Sequence, residues 1–163
     1  PRAAWPVVTF TSDVSFHLNG DEMHAVHVAN AHTDGDAIVH FREANVLHMG
    51  DTFFVGRFPF IDTASGGSIN GLVAAVEKAL SLSDGDTRII PGHGPLSDRD
   101  DLVECGEALQ GMRDAVAVQV AAGHSVEETL EARPIREWAE AWGQSEAAEE
   151  SFVRTLHASL SGS

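Results

Sequence analysis

Cysteine is almost absent from this chain: Cys105 is the single one, so no disulfide can form within it. Cys105 lies in a segment with helical periodicity, where a small buried side chain is the simplest interpretation. Basic residues are also scarce, with 10 lysines and arginines against 25 acidic residues and a formal charge of −15. Such an acidic surface repels phosphate backbones and acidic lipid headgroups. We therefore expect neither a nucleic-acid nor a membrane partner.

Long apolar runs are missing as well, and no stretch approaches the roughly 20 apolar residues of a transmembrane helix. The first residues carry no signal-peptide pattern, so a cytoplasmic location is expected. Because the chain begins at Pro1 without an initiator methionine, it is expected to have been cut from something longer. The 163 residues, 43% of them apolar and 21% charged, are typical of a globular protein. We predict one domain spanning residues 1–163.

The first third of the chain and one later segment predict β-strands. These segments are rich in β-branched and aromatic residues, or they alternate apolar with polar side chains. Asn19-Gly20 is a strong signal for a hairpin turn. The predicted strands are residues 7–11, 14–18, 22–30, 37–41, 46–49 and 87–90.

The remaining segments predict helices. Ser68 is a suitable N-cap for a helix over residues 69–82, and Ser97 with Asp100 predicts a capping box that opens a long helix ending near Ala122. Further helices are predicted from 126 to just before Pro134, from Pro134 through 142, and over 146–160. Strands, then strand–helix alternation, then helices predict an α/β fold with a mixed sheet packed against helices and a helical C-terminus.

Three short fragments place a metal-capable side chain beside glycine, where a strand is expected to meet a loop. They are residues 31–36, 48–51 and 91–94, and their candidate ligands are His32, Asp51 and His93. Neutral histidine and ionised aspartate are common zinc ligands. The three residues are far apart in sequence, so they form one site only if the fold brings strand ends together. For each histidine the alternative is an ordinary packed and hydrogen-bonded side chain.

These fragments resemble the signatures of the metallo-β-lactamase-fold hydrolases. In that superfamily a His-Thr-x-Gly fragment, a Gly-Asp at a strand end and a late Gly-His pair supply metal ligands, and His32-Thr33-Asp34-Gly35, Gly50-Asp51 and Gly92-His93 match them in order. The resemblance implies the C-terminal portion of an αββα sandwich with two zinc ions. His32 and His93 would each bind one ion, and Asp51 would be the catalytic residue that holds both.

The implied activity is two-metal hydrolysis of a small-molecule carbonyl substrate: a lactam, a lactone, a thioester or another ester. Two other groups of residues follow from this site. Thr33 and Asp36 are predicted to support the ligands by hydrogen bonds, with turn capping around Gly35 as the alternative. Phe54 and Phe58, in a Phe-rich loop expected after Asp51, are predicted to contact the substrate, with plain loop packing as the alternative.

The family's first signature, His-x-His-x-Asp-His, has no counterpart in this sequence; His24-Ala25-Val26-His27 has a different spacing. Each ion is thus left with one histidine and the shared Asp51, whereas zinc normally takes three or four protein ligands. We therefore expect this chain alone to bind zinc weakly or not at all and to be inactive. Its missing N-terminal part would have been lost by truncation or proteolysis, or would reside on another chain.

Two alternatives stay open at this point. One is a metal-free, non-catalytic domain that keeps only the fold and persists by its own core or by pairing with another copy, because missing strands would leave a sheet face or edge exposed. The other is an electron-transfer module with iron at the same ligands, although the chain has no flavin segment to support it. Covalent catalysis is not expected, since Cys105 is predicted to be buried and no serine lies in a nucleophile-elbow pattern.

Overall fold

The computed structural model describes residues 1–162 and contains a mixed five-stranded sheet covered by helices. The strands are β1 (Asp13–Leu18), β2 (Asp21–Val28), β3 (Asp36–Phe41), β4 (Val46–Phe54) and β5 (Arg88–His93). The helices are α1 (Ile69–Leu82), α2 (Arg99–Ala121), α3 (Val126–Ala132), α4 (Arg136–Ala141) and α5 (Glu146–Ser161). The predicted α/β class, with a mixed sheet and a helical C-terminus, is confirmed.

Strand order in the sheet follows the chain. Strands β1 to β4 pair antiparallel with their neighbours, and β5 lies parallel to β4. The β1–β2 hairpin turns at Asn19 and Gly20, whose φ angles of +54° and +82° suit a tight two-residue turn. A parallel neighbour requires a crossover connection, and α1 supplies it between β4 and β5.

The core lies between one face of the sheet and the helices α1, α2 and α5. Side chains from adjacent strands meet there with no exposed surface, among them Ile38, Leu47 and Ile89. Leu72 of α1 and Leu156 of α5 are buried to the same extent and belong to the same cluster. Within residues 1–162, no helix is both long and apolar enough to cross a membrane.

The opposite side of the sheet, which we call the open face, is apolar and partly exposed. Its side chains form two rows across all five strands: Val14, Ala25, Val39, His48 and Ile90, and then Phe16, Met23, Phe41, Val46 and Arg88. Exposure at the edges of this face is high, at 38% for Phe16 and 36% for Ile90. A contiguous apolar surface of this kind is typical of a face that another layer covers.

The strand predicted over residues 7–11 is wrong. This segment is exposed and lies outside the sheet, with Val7 fully solvent-accessible. A bond from the His27 amide to the Ser12 carbonyl, 2.8 Å long, ties the chain to β2 only where the segment ends. High β-propensity describes residues that suit a pleated, half-buried surface. Residues 8–11 instead stay exposed and border an open cavity together with His27 of β2 and Ala37 of β3.

Two helix starts also differ from the prediction. The capping box of α2 is formed by Asp98 and Asp101, not by Ser97 and Asp100, because Ser97 is buried in a bridge to Ile89. Pro134 lies in the turn before α4 rather than in its first turn. By contrast, the boundaries of α1 and the capping box of α3 agree with the prediction.

Candidate metal centre

The three predicted ligands meet at one edge of the sheet. His32 comes from the loop between β2 and β3, Asp51 from within β4, and His93 from the end of β5. The Nε2 atom of His32 lies 3.7 Å from Oδ2 of Asp51, and the Nε2 atom of His93 lies 3.4 Å from Oδ1. Asp51 therefore lies between the histidines, with one carboxylate oxygen toward each.

Asp51 is presented where the pairing of β4 with β5 becomes irregular. Gly50 has a φ of +52°, and the register shifts on both sides of it. Strand β4 nevertheless continues to Phe54, and the Val55 amide donates to the His93 carbonyl at 3.1 Å. Asp51 thus lies inside a strand, and the expected start of the loop at residue 52 is wrong because the parallel partner extends the ladder.

Gly92 is required by the close approach of β5 to this irregular stretch. A Cβ atom at Gly92 would lie 2.2 Å from Oδ1 of Asp51 and 2.5 Å from the Gly50 carbonyl oxygen. Contacts this short do not occur in folded proteins, so any side chain here would displace Asp51. The glycine beside His93 is therefore a steric requirement of the site.

The loop that carries His32 is fixed by the turn that leads into α1. The Asp62 amide donates to the His32 carbonyl at 2.9 Å, and the Ser68 amide donates to the Asn30 carbonyl at the same distance. A Cβ at Gly67 would lie 2.2 Å from the His32 carbonyl oxygen. These contacts make residues 65–68 a close-packed loop-to-helix turn.

The His32 ring is oriented by the Phe60 carbonyl, which lies 2.8 Å from Nδ1. Since a carbonyl oxygen only accepts, Nδ1 carries the proton in this hydrogen bond, and in the neutral imidazole this leaves the lone pair of Nε2 directed at Asp51. Metal-binding histidines are commonly held in this way through the nitrogen that does not bind the metal. The sequence offers no signal for this contact, because any residue provides a backbone carbonyl.

His93 is less constrained than His32. Its ring stacks on Phe54 with a centroid distance of 4.8 Å, but 52% of its side chain is exposed, against 18% for His32. Phe54 thus contacts a candidate ligand directly. Phe58 instead stacks on Phe152 of α5 at 4.7 Å, as a core residue would. Substrate contact by Phe54 and Phe58 stays a prediction.

Thr33 and Asp36 form a compact turn next to His32. The Asp36 carboxylate accepts from the Thr33 amide at 2.7 Å and from its hydroxyl at 3.3 Å, and the Gly35 amide donates to Thr33 Oγ1 at 3.1 Å. These bonds are those of turn capping around Gly35, and they fix the backbone that follows His32. A role for the pair in supporting a bound metal stays a prediction.

Two titratable groups outside the candidate site, His40 and Cys105, have shifted pKa values. Burial, together with the nearby Arg42, lowers the pKa of His40. Burial also raises the pKa of the Cys105 thiol to about 12. A thiol with such a pKa carries almost no thiolate at neutral pH, and thiolate is the nucleophilic form. These values agree with the expectation that Cys105 is not a catalytic nucleophile.

The side chains at the candidate centre are of the types that bind zinc, but there are too few of them to complete the coordination of two ions. Imidazole nitrogen and carboxylate oxygen are ordinary zinc ligands, and a carboxylate with one oxygen toward each histidine is suited to bridging two ions. Each ion would find two protein ligands here. Across residues 1–162, no group of three histidine, cysteine, aspartate or glutamate side chains is placed to hold a single ion.

The mixed sheet covered by helices, with His32, Asp51 and His93 brought together from a loop and two neighbouring strands, defines a class of α/β proteins. The chain belongs to the metallo-β-lactamase superfamily, whose model matches residues 2–93. The resemblance drawn from the sequence is thereby confirmed.

Solved structures support the same fold. They include the metallo-β-lactamase from Pontibacter korlensis, at 20% identity and a TM-score of 0.55, aligned over 64% of this chain and 49% of that one. TTHA1623, solved in a di-iron-bound form, is 23% identical with a TM-score of 0.51 and aligns over 63% of this chain and 48% of its own. The present chain therefore spans about half the length of these two proteins.

A third structure aligns over nearly the whole chain. The sec-alkylsulfatase Pisa1 from Pseudomonas sp. has a TM-score of 0.64 at 12% identity and covers 93% of this chain but 26% of its own. At such identities the likeness concerns the fold alone. A comparison with curated protein sequences gave no match.

Proposed function

We propose that this chain is part of a dinuclear zinc hydrolase that acts on a carbonyl substrate, namely a lactam, lactone, thioester or other ester. The observation that carries the proposal is the geometry of Asp51, whose two oxygens face the Nε2 atoms of His32 and His93 at 3.7 and 3.4 Å. Membership of the metallo-β-lactamase superfamily supports it.

Each residue has a distinct role in this proposal. Asp51 would hold the two ions at a fixed separation, and His32 and His93 would each bind one. Bound zinc would supply a Lewis acid for the substrate carbonyl and lower the pKa of a water molecule. The Phe60 carbonyl keeps the His32 ring in the tautomer that leaves Nε2 free to bind, and the Phe54 ring limits rotation of His93.

The remaining ligands would come from an N-terminal half, either upstream in a longer form of this chain or on another chain. Two observations support this part of the proposal. The chain spans about half the length of similar metallo-β-lactamases, and its open face presents an apolar surface that a second layer would bury. On this model the isolated chain binds zinc weakly and is inactive.

Zinc titration of the purified chain at neutral pH tests the proposal, with a chromophoric chelator as competitor. We expect weak binding that depends on all three ligands, so that Asp51→Asn and His93→Ala each reduce the affinity at least tenfold. Loss of a residue that merely supports a ligand already costs about 10- to 100-fold. Hydrolysis of an ester, a thioester, a lactone and a lactam should be followed in the same samples.

His17→Ala is the matched control, because His17 lies on exposed β1 away from the three ligands and should leave zinc affinity unchanged. Equal affinities in the wild type, Asp51→Asn and His93→Ala would contradict the proposal. Zinc binding that is lost in His17→Ala would likewise show that the metal lies elsewhere.

A second candidate function is favoured by the open face. The chain could be a metal-free, non-catalytic domain that keeps only the fold and pairs with a second copy through this surface. Phe16 and Ile90 are more than one-third exposed at opposite edges of the face, and burial of such side chains would stabilise a pair of copies. This function predicts self-association without zinc, whereas the hydrolase predicts zinc binding that depends on Asp51.

A further inference from the structure

The loop that follows β4 borders a cavity close to the candidate metal centre. A cavity of about 230 Å³ opens between the loop that follows β4 and the helix α5. Residues 58–61 form one wall, and Ala148, Phe152 and Thr155 of α5 form much of the other. This volume can receive a chain of several carbon atoms.

The lining of this cavity is uncharged, although the protein carries a formal charge of −15. Its polar groups are largely engaged within the protein. The Thr155 hydroxyl donates to the Ser151 carbonyl at 3.1 Å, and the Gln144 amide donates to the Trp142 carbonyl at 2.9 Å. The surface offered to a ligand is uncharged and only somewhat more apolar than polar, so it can accommodate a hydrocarbon chain and disfavours charged groups.

Phe60 joins the cavity to the candidate metal centre. Its side chain lines the cavity and is 64% exposed, and its ring centroid lies 5.7 Å from that of His32. Its carbonyl accepts the hydrogen bond from His32 Nδ1. A ligand that fills the cavity and passes over the Phe60 ring would therefore arrive at His32.

We propose that this cavity binds the uncharged, apolar chain of the substrate. The proposal rests on the hydrolase function above and narrows its substrate class to esters, thioesters or lactones that carry a hydrocarbon chain of several carbons. The chain would lie between residues 58–61 and α5, with the reacting carbonyl on the His32 side of Phe60.

Binding can be tested on the metal-free chain with neutral alcohols, which cannot be hydrolysed. We expect 1-butanol, 1-hexanol and 1-octanol to shift the backbone amide NMR signals of Phe60, Ile61, Ala148 and Thr155. Affinity should rise about two- to fourfold for each added methylene until the cavity is full, since full burial of one methylene contributes roughly a fourfold gain. The cationic 6-amino-1-hexanol should bind at least tenfold more weakly than 1-hexanol, which has the same number of carbon atoms.

Two neighbouring alanines of α5 provide matched variants. Ala148→Phe places a ring in the cavity and should weaken 1-hexanol binding at least tenfold, whereas Ala147→Phe lies on the exposed side of the same helix and should not. Equal binding in the two variants would overturn the proposal. Signal shifts confined to the open face, at Phe16 and Phe41, would overturn it as well.

Failure of the cavity proposal can be distinguished from failure of the hydrolase proposal. The alcohol titrations need no metal, and Ala148→Phe should bind zinc as the wild type does. If zinc binding does not depend on Asp51 but 1-hexanol still binds in the cavity, the hydrolase proposal is contradicted. The proposal that this cavity binds an apolar chain is then unaffected. Zinc binding that depends on Asp51, together with no alcohol binding in the cavity, would overturn the cavity proposal alone.

Discussion

Single residues at the candidate centre are positioned by backbone contacts that leave no room for a side chain. Gly92 is the clearest case, because its Cα faces Asp51 and the Gly50 carbonyl at a distance that excludes a Cβ. The effect of a substitution at Gly92 therefore tests the geometry of Asp51 directly. An alanine here must push either the β4 backbone or the Asp51 side chain away.

We expect Gly92→Ala to lower the free energy of unfolding by about 1–3 kcal/mol, the usual cost of overpacking. It should also weaken zinc binding at least tenfold, because Asp51 is displaced. Urea unfolding and the zinc titration check the two parts. Gly85→Ala is the control, since nothing lies within 4 Å of a Cβ at Gly85. A Gly92→Ala variant as stable as Gly85→Ala would contradict the close approach seen here.

At this scale the sequence identified three side chains that the structure brings together, but it did not reveal their surroundings. His32, Asp51 and His93 could be selected because each is a metal-capable residue next to or near glycine, and the structure brings them together. The Phe60 carbonyl that orients His32 could not be predicted, because a backbone group leaves no mark in the residue type. Their binding of zinc stays a prediction.

Among the secondary-structure elements, helix α1 holds the loop that carries His32 in place. Its N-cap Ser68 accepts from the Gly71 amide at 3.0 Å, and the same hydroxyl donates to the Asn30 carbonyl at 2.8 Å. One side chain thus caps the helix and fastens it to the loop that carries His32. A Cβ at Gly71 would lie only 1.7 Å from the Asn30 carbonyl oxygen, so helix and loop are in direct backbone contact.

Ser68→Ala should destabilise the protein by about 1 kcal/mol, as expected for the loss of an N-cap, and by more if the bond to Asn30 contributes as well. Thermal or urea unfolding measures the change. Ser81→Ala, near the exposed end of the same helix, serves as the comparison and should cost less than about 0.5 kcal/mol. If the two variants were equally stable, Ser68 would not fasten the helix to the loop.

Elements whose formation depends on residues nearby in the sequence were predicted well. Helix α1 and the β1–β2 hairpin follow from a capping serine, helical spacing and Asn19-Gly20. The strand expected over residues 7–11 failed because a strand also needs a neighbour, which composition does not reveal. The start of α2 was displaced by one residue, since pairing of Ser97 with Ile89 leaves the cap to Asp98.

The whole molecule is asymmetric about its sheet. Helices α1 and α2 pack against one face. The open face keeps two rows of mostly apolar side chains, interrupted by His48 and Arg88, that reach solvent at β1 and at β5. Strong negative charge opposes association of copies at low salt, because the repulsion is then unscreened. Apolar attraction through the open face and charge repulsion therefore compete, and salt changes the balance.

We expect self-association of the metal-free chain to increase with sodium chloride concentration and to fall at least tenfold in Phe16→Lys, measured by sedimentation velocity. Burial of a phenylalanine contributes about 1.5–3 kcal/mol, which corresponds to tenfold or more. Val118→Lys removes an exposed apolar residue of α2, away from the sheet, and should have no effect. Equal loss in both variants would rule out the open face as the contact surface.

The sequence predicted the layer of sheet and helices. The expectation that further strands lie outside this chain, which was drawn from the absent first ligand signature, stays a prediction. The sequence could not show how the side chains of the open face line up. That depends on register: Val14, Ala25, Val39 and Ile90 come from four strands, and only the pairing places them in one row.

The hydrogen bond between the Phe60 carbonyl and His32 has one more consequence. Phe60 belongs both to the wall of the apolar cavity and to the orientation of His32. A ligand that moved this loop would change the free-energy cost of holding the imidazole ring, and a metal bound to His32 as proposed would stiffen the loop that the ligand meets. Such coupling is reciprocal. Whatever factor the apolar chain imposes on metal affinity, the metal must impose on the affinity for the chain.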